Sequence, residues 1–230
     1  MFADDAIVED PIGPSAFDLE GKGHRGRDAI SAFWDLAIAN TTKIEFFFRD
    51  TYQCGNEEIA DARLGEGHPV AWIHATALRT EPLAFSGRDQ VSPQAGRDAA
   101  AALWKAAGIT SPIDEIDAAE IYVPFSWFEP MWLENLGFAP EGDGWKLTEA
   151  GETRIGGRLP VNPSGGVLSS NPIGASGLIR FAESAIQVMG KGGDHQVPDA
   201  RKALGHAYGG GSQYYSMWVV AADKPEKVHA

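Results

Sequence analysis

The 230-residue chain has a single cysteine, Cys54. No internal disulfide can form, and such sparing use suits a reducing cytoplasm. No apolar run approaches the ~20 residues that a bilayer-crossing helix needs. Positive charge is scarce: 19 Lys and Arg stand against 32 Asp and Glu, a net charge of −13. That balance argues against nucleic acid or an anionic membrane surface as partner. An anionic substrate would need a local cationic patch against this field. The opening residues, Met1-Phe2-Ala3-Asp4-Asp5, are acidic where a signal peptide carries positive charge. Neither nucleotide-binding fingerprint is present: no GxGxxG follows a strand, and there is no GxxxxGK[ST]. Internal repeats, low-complexity tracts and metal-ligand spacings are missing too.

The chain does have an ordinary globular share of apolar residues, 43%, enough for a real core. Residues 6–8 read as a short strand and residues 28–39 as a helix with Ile30, Phe33, Trp34 and Ile38 on one face. Residues 44–48 read as a buried strand. The texture turns polar between Cys54 and Pro69, which places a domain junction there: residues 1–57 form one unit and residues 58–230 another. In the second unit, strands are expected at 70–78, 120–125 and 214–221. Helices are expected at 98–107, stopped by Gly108, and at 178–189. A third helix follows Ser126, whose spacing to Glu129 fits a capping box. It carries Met131, Trp132, Leu133 and Leu136 and is stopped by Gly137. Strands alternating with helices predict a layered α/β architecture.

Two glycine-rich stretches stand out. Asn162-Pro163-Ser164-Gly165-Gly166 precedes Asn171-Pro172-Ile173-Gly174-Ala175-Ser176-Gly177, and an apolar helix follows at once. Glycines let a backbone approach closely, and a helix N-terminus offers free N–H groups to an oxyanion. Tight helix–sheet packing and a ligand loop explain such a stretch equally well. The second is Gly205-His206-Ala207-Tyr208-Gly209-Gly210-Gly211, read as a loop.

The pattern N-x-x-GG-x-x-x-x-x-P-x-G-x-SG resembles a thiolase block, and the 205–211 segment resembles the C-terminal Cys-x-Gly-Gly-Gly loop of that family. Residues 119–126 lie where sterol-carrier-type thiolases have His-Asp-Cys-Phe. The resemblance runs from about residue 57 to 225 and points to the C-terminal half of a lipid-transfer-type, acetyl-CoA acetyltransferase-like protein. It implies a coenzyme A thioester as substrate, acyl-CoA or steroid-CoA, with no permanently bound cofactor. The departures are specific. Asn171 stands at the family's His, and Ala207 stands at the C-terminal Cys, with His206 beside it. Tyr122-Val123-Pro124-Phe125 replaces His-Asp-Cys-Phe. The half that supplies the nucleophilic Cys is not in this sequence, and Cys54 falls in no matching motif. Thiolysis needs a thiolate and its base, so the chain alone is expected not to be an acetyltransferase.

What remains implies retro-aldol or retro-Claisen chemistry without a covalent intermediate. Asn171 would stabilise an enolate, and Tyr122 and His206 would exchange protons. Gly174, Ser176, Gly177, Gly209 and Gly210 would line the ligand site. Thiolase-like steroid side-chain aldolases of this kind work with an OB-fold partner, and a homodimer is the other assembly implied.

Residues 2–13, Phe-Ala-Asp-Asp-Ala-Ile-Val-Glu-Asp-Pro-Ile-Gly, are similar to ketosteroid isomerases and other NTF2-like (SnoaL-like) proteins, a short α+β segment covering residues 1–55. Asp10 falls at the isomerase's general base. The Tyr and protonated Asp of that oxyanion hole have no counterpart here, so isomerisation is not expected. An NTF2-like isomerase or binding fold, or a non-catalytic subunit of a thiolase-like complex, are the competing readings. Gly67-His68-Pro69 lacks the context of the thiolase Gly-His-Pro motif and reads as a turn.

Overall fold

The computed structural model describes residues 7–8, 24–25, 28–32, 66–82, 84, 86–169 and 171–225. The chain divides into two compact units, Met1–Cys54 and Gly55–Ala230. In the first, β1 (Ile7–Val8) pairs antiparallel with β2 (His24–Arg25), and residues 28–32 are helical with Ile30 buried. Asp10, Cys54 and the expected strand at 44–48 lie outside the described residues.

The second unit is built on one mixed four-stranded sheet in the order β3-β6-β5-β4. Its strands are β3 (Trp72–Thr80), β4 (Ala118–Ile121), β5 (Lys202–Gly209) and β6 (Tyr214–Ala221). β4 runs parallel to β5, while β5–β6 and β6–β3 are antiparallel. Side chains of a strand alternate between faces, and the sequence uses both. Ala119, Ile121, Leu204, Met217 and Val219 face one core, with helices α1 (Gln94–Ala107) and α3 (Phe128–Asn135). Ala118, Ala203 and Val220 face a second core, closed by the end of helix α6 (Ser176–Val188). Trp104 of α1 donates its indole N–H to the Leu136 carbonyl at 2.9 Å, tying the two helices of the first layer together.

Three short helices, α2 (Pro112–Glu115), α4 (Gly144–Glu149) and α5 (Gly166–Ser169), carry no apolar period long enough to show in the sequence. The stops at Gly108 and Gly137 stand where they were expected, both at left-handed φ (68° and 79°). The capping box does not form: α3 begins at Phe128 with Trp127 as its cap and no side-chain cap bond. The strand expected at 120–125 is displaced toward the N-terminus, ending at Ile121. Three residues on, Pro124 has no N–H to offer a ladder.

The largest departure is at residues 205–209, expected as loop. They are strand, paired with 214–218 of β6, and residues 210–213 turn the corner, with Gly210, Gly211 and Ser212 at positive φ.

Helix α6 sits very close to the sheet. A Cβ on Gly177 would meet the Ala207 Cβ at 2.9 Å, whereas one on Gly174 would meet nothing within 4 Å. Gly177→Ala is therefore expected to cost about 1–3 kcal/mol through overpacking. Gly174→Ala is expected to stay within about 0.5 kcal/mol of the parent. Denaturant midpoints of the two variants check the contrast, and equal losses would contradict it.

Candidate functional site

A cleft of about 900 Å³ opens at the end of the sheet where β4 and β5 finish. Its floor is the end of β5 and the turn that follows, Ala207–Ser212, one lip is the Ile173–Gly177 segment, and the opposite wall is aromatic. Each part has a local cause. Tyr122 follows β4 directly: its N–H still donates to the His206 carbonyl at 3.2 Å, and its own carbonyl accepts the Trp132 indole N–H at 3.0 Å. Both ends of its peptide are thus fixed. Asn171 precedes the 3₁₀ turn Ile173–Ala175 that leads into α6. Its Oδ1 accepts Ser176 Oγ at 2.8 Å and Tyr122 Oη at 3.2 Å. With Oδ1 engaged twice, the amide NH₂ is left to donate. At the lip Ile173 stands at φ 32°, a region that β-branched residues seldom adopt.

The structure therefore brings Tyr122, Asn171 and Ser176 together, with Gly174, Gly177, Gly209 and Gly210 around the cleft. It does not bring His206. The shared site expected for Asn171, Tyr122 and His206 fails at this residue, because β5 is strand where a loop was expected. Alternation sends Ala207 toward α6 and His206 into the opposite layer. There His206 is wholly buried, 5.3 Å between ring centres from Trp132 and 6.1 Å from Tyr215, and neither ring nitrogen has a hydrogen-bond partner. Burial alone drops its pKa to about 3, so the ring is neutral and out of reach of a ligand in the cleft.

The same alternation supplies a residue that sequence reasoning passed over. Tyr208, two positions on, shares the His206 face but reaches the sheet's end and lines the cleft, its ring 5.2 Å from that of Tyr122. Burial pushes its phenol up, with lesser contributions from Tyr122 and Tyr215, so at neutral pH it is a proton-bearing donor. The signal was available: reading residues 205–209 as strand would have placed Tyr208 at the strand end.

The first glycine-rich stretch has another task. Residues 160–164 run along the outer edge of β4: Ala119 N–H donates to the Pro160 carbonyl, Asn162 N–H to the Ala119 carbonyl, and Ile121 N–H to Asn162 Oδ1 (2.8–2.9 Å). Glu120, fully buried, accepts Ser164 N–H, Ser164 Oγ and Arg180 Nη1 at 3.0, 2.8 and 2.8 Å. Burial pushes the Glu120 carboxyl above its ordinary range, against the pull of Arg180.

Gly67 takes a left-handed turn, φ 80°. Among the described residues no group of three or more His, Cys, Asp or Glu side chains is placed to hold a metal ion. No described helix is long and apolar enough to cross a membrane.

The model of the thiolase C-terminal domain-like family matches residues 77–222. The chain belongs to that family. Sterol carrier protein 2 of Bos taurus is 33% identical over 153 residues, 64% of this chain and 28% of that protein. Benzoylsuccinyl-CoA thiolase subunit BbsB of Thauera aromatica is 31% identical over 160 residues, 69% of this chain and 40% of that one. Among solved structures, one described as an Ltp2-ChsH2(DUF35) aldolase matches with a TM-score of 0.60 and 26% identity, covering 69% of this chain and 41% of that chain. The chain thus spans well under half the length of these relatives.

Proposed function

We propose that the cleft stabilises the enolate of an acyl-CoA thioester during carbon–carbon cleavage of the retro-aldol type, with no covalent acyl-enzyme. The observation that carries this is Asn171: its Oδ1 is held by the hydroxyls of Tyr122 and Ser176, which aims a preorganised donor at a thioester oxygen. In a β-hydroxyacyl thioester the hydroxyl proton leaves to water in the open cleft, and the bond between Cα and Cβ breaks. The β-carbon becomes a carbonyl. The electron pair passes to the thioester enolate, and Tyr208 or Tyr122 returns a proton to Cα. The described lining contains no carboxylate, imidazole or thiol, which fits a donor site better than a nucleophilic one; it contains no cation either, so the phosphates of the coenzyme are held outside it. The family and the relatives' names support an acyl-CoA. The apolar aromatic wall supports a large lipid or steroid acyl group. By likeness to the DUF35-containing aldolase, an OB-fold partner belongs to this reading, as does a cytoplasmic setting.

Enolate formation is tested by incubating the purified chain with an acyl-CoA in D₂O and following deuterium at Cα by mass spectrometry. Exchange above the buffer rate is expected, falling about 10²–10³-fold in Asn171→Ala and persisting in Cys54→Ser. Exchange at the buffer rate in the parent chain, or unchanged in Asn171→Ala, would sink the reading.

A further inference from the structure

The connection between β3 and α1 sends one side chain, Gln90, into the cleft. Its backbone is fastened by the two residues that precede it. The Arg88 side chain is only 5% exposed. Its Nε donates to Glu81 Oε2 at 2.7 Å, and its Nη2 donates to the carbonyls of Gly211 and Ser212 at 3.1 and 2.6 Å. Gly211 and Ser212 belong to the turn that floors the cleft, so Arg88 ties the connection to that floor. Glu81 Oε1 also accepts the Ala95 N–H at 2.9 Å, which joins the same clasp to the first turn of α1.

Asp89 closes the other side. Its Oδ1 accepts the N–H groups of Val91 and Ser92, both at 2.9 Å, an Asx turn that bridges across Gln90. The Gln90 side chain itself makes no hydrogen bond among the described residues. Tyr122 and Asn171, by contrast, are bonded to each other. A residue whose backbone is fixed and whose polar end is left to the cleft has the form of a preorganised ligand contact.

We infer that Gln90 is a specificity-determining residue of the cleft, and that its carboxamide recognises the oxygen on the β-carbon of the acyl chain. The inference rests on the acyl-CoA reading above. A carboxamide carries an acceptor and a donor on one rigid group. Before cleavage the β-hydroxyl donates to Oε1. After cleavage the β-oxygen is a carbonyl and accepts from Nε2. One side chain thus holds that oxygen on both sides of the reaction without exchanging a proton. A thioester with no β-oxygen would cover the carboxamide and give it nothing in place of its water, which weakens binding.

Titration calorimetry of the purified chain with three coenzyme A thioesters of one chain length tests this: a plain acyl, a β-hydroxyacyl and a β-ketoacyl thioester. The parent is expected to bind both β-oxygenated thioesters about five- to tenfold more tightly than the plain one, the worth of one hydrogen bond. Gln90→Leu should bind all three alike, with its affinity for the plain thioester kept or raised. Gln90→Glu offers acceptors only, so it should keep the preference for the β-hydroxyacyl thioester and lose that for the β-ketoacyl one. Gln90 is exposed, so both variants should keep the parent's urea midpoint. Binding is read apart from deuterium exchange. A chain that shows this preference and exchanges no deuterium would support the inference and sink the cleavage reading. A parent that exchanges deuterium and binds all three thioesters alike would do the reverse. The inference is also overturned if Gln90→Leu retains the preference, or if Gln90→Glu still favours the β-ketoacyl thioester. A parent that binds no thioester would overturn both.

Discussion

Glu120→Ala is expected to lower the unfolding free energy by about 3–5 kcal/mol, the usual cost of stranding one member of a buried pair. Glu120 and Arg180 are 0% and 1% exposed, 2.8 Å apart. Arg180 cannot shed its proton, so removing the carboxylate takes away its ion-pair partner and leaves Nη1 bonded to Ser164 Oγ at 3.3 Å. Ser164 loses two bonds at once, while Pro160 and Asn162 still hold the 160–164 segment on β4. A domain commonly has ~5–15 kcal/mol in all, so this one change consumes a large part of it. Glu120→Gln keeps the shape and a bond to Ser164 and should cost less. The double variant Glu120→Leu with Arg180→Met should return close to the parent or exceed it, because two desolvation penalties vanish together. Urea titrations of the single and double variants decide the matter. A loss under ~1 kcal/mol in Glu120→Ala would mean that water reaches the pair.

That ion pair shows where the sequence was legible and where it was not. The apolar alternation of β6 and the glycine stops of α1 and α3 depend on neighbours close in sequence, and they stand in the structure nearly as read. The block from Asn162 to Gly177 is also local, and its residues divide between packing and the cleft. Gly177 is tight packing, and Asn171 with Gly174 is the cleft. Arg180 and Glu120 are 60 residues apart, and an arginine in a helix that mixes apolar and polar residues gives no sign that it points inward. The same holds for Ser184 and Gln187, both buried on that helix. His206 was misplaced for a different reason. Its glycine neighbours suggested a loop, but Gly205 and Gly209 lie in a ladder whose other members, Tyr214 to Trp218, are strong strand formers. Strand pairing overrode the local signal, and one register step then decided that His206 and Ala207 face opposite layers.

The burial of His206 makes a second large effect measurable. With an ordinary pKa near 6.5 and a folded value of about 3, the unfolded chain holds a proton between those limits that the folded chain refuses. The unfolded state binds more protons there, so stability rises with pH. The contribution is complete above about pH 6.5 and is lost as pH falls toward 3. At 1.36 kcal/mol per unit, this single side chain accounts for about 5 kcal/mol of acid sensitivity. Its box is apolar and aromatic, and both ring nitrogens are without partners, each a buried group that costs something to leave unpaired. His206→Leu is therefore expected to match or exceed the parent in stability at neutral pH and to remove most of the slope between pH 6.5 and 3. Its α-deuteration activity should be retained, because the imidazole does not reach the cleft. Denaturant unfolding at stepped pH and the deuterium assay read these independently. A parent slope that survives in His206→Leu would move the acid sensitivity to other groups, and a loss of exchange without a loss of stability would return His206 to the chemistry.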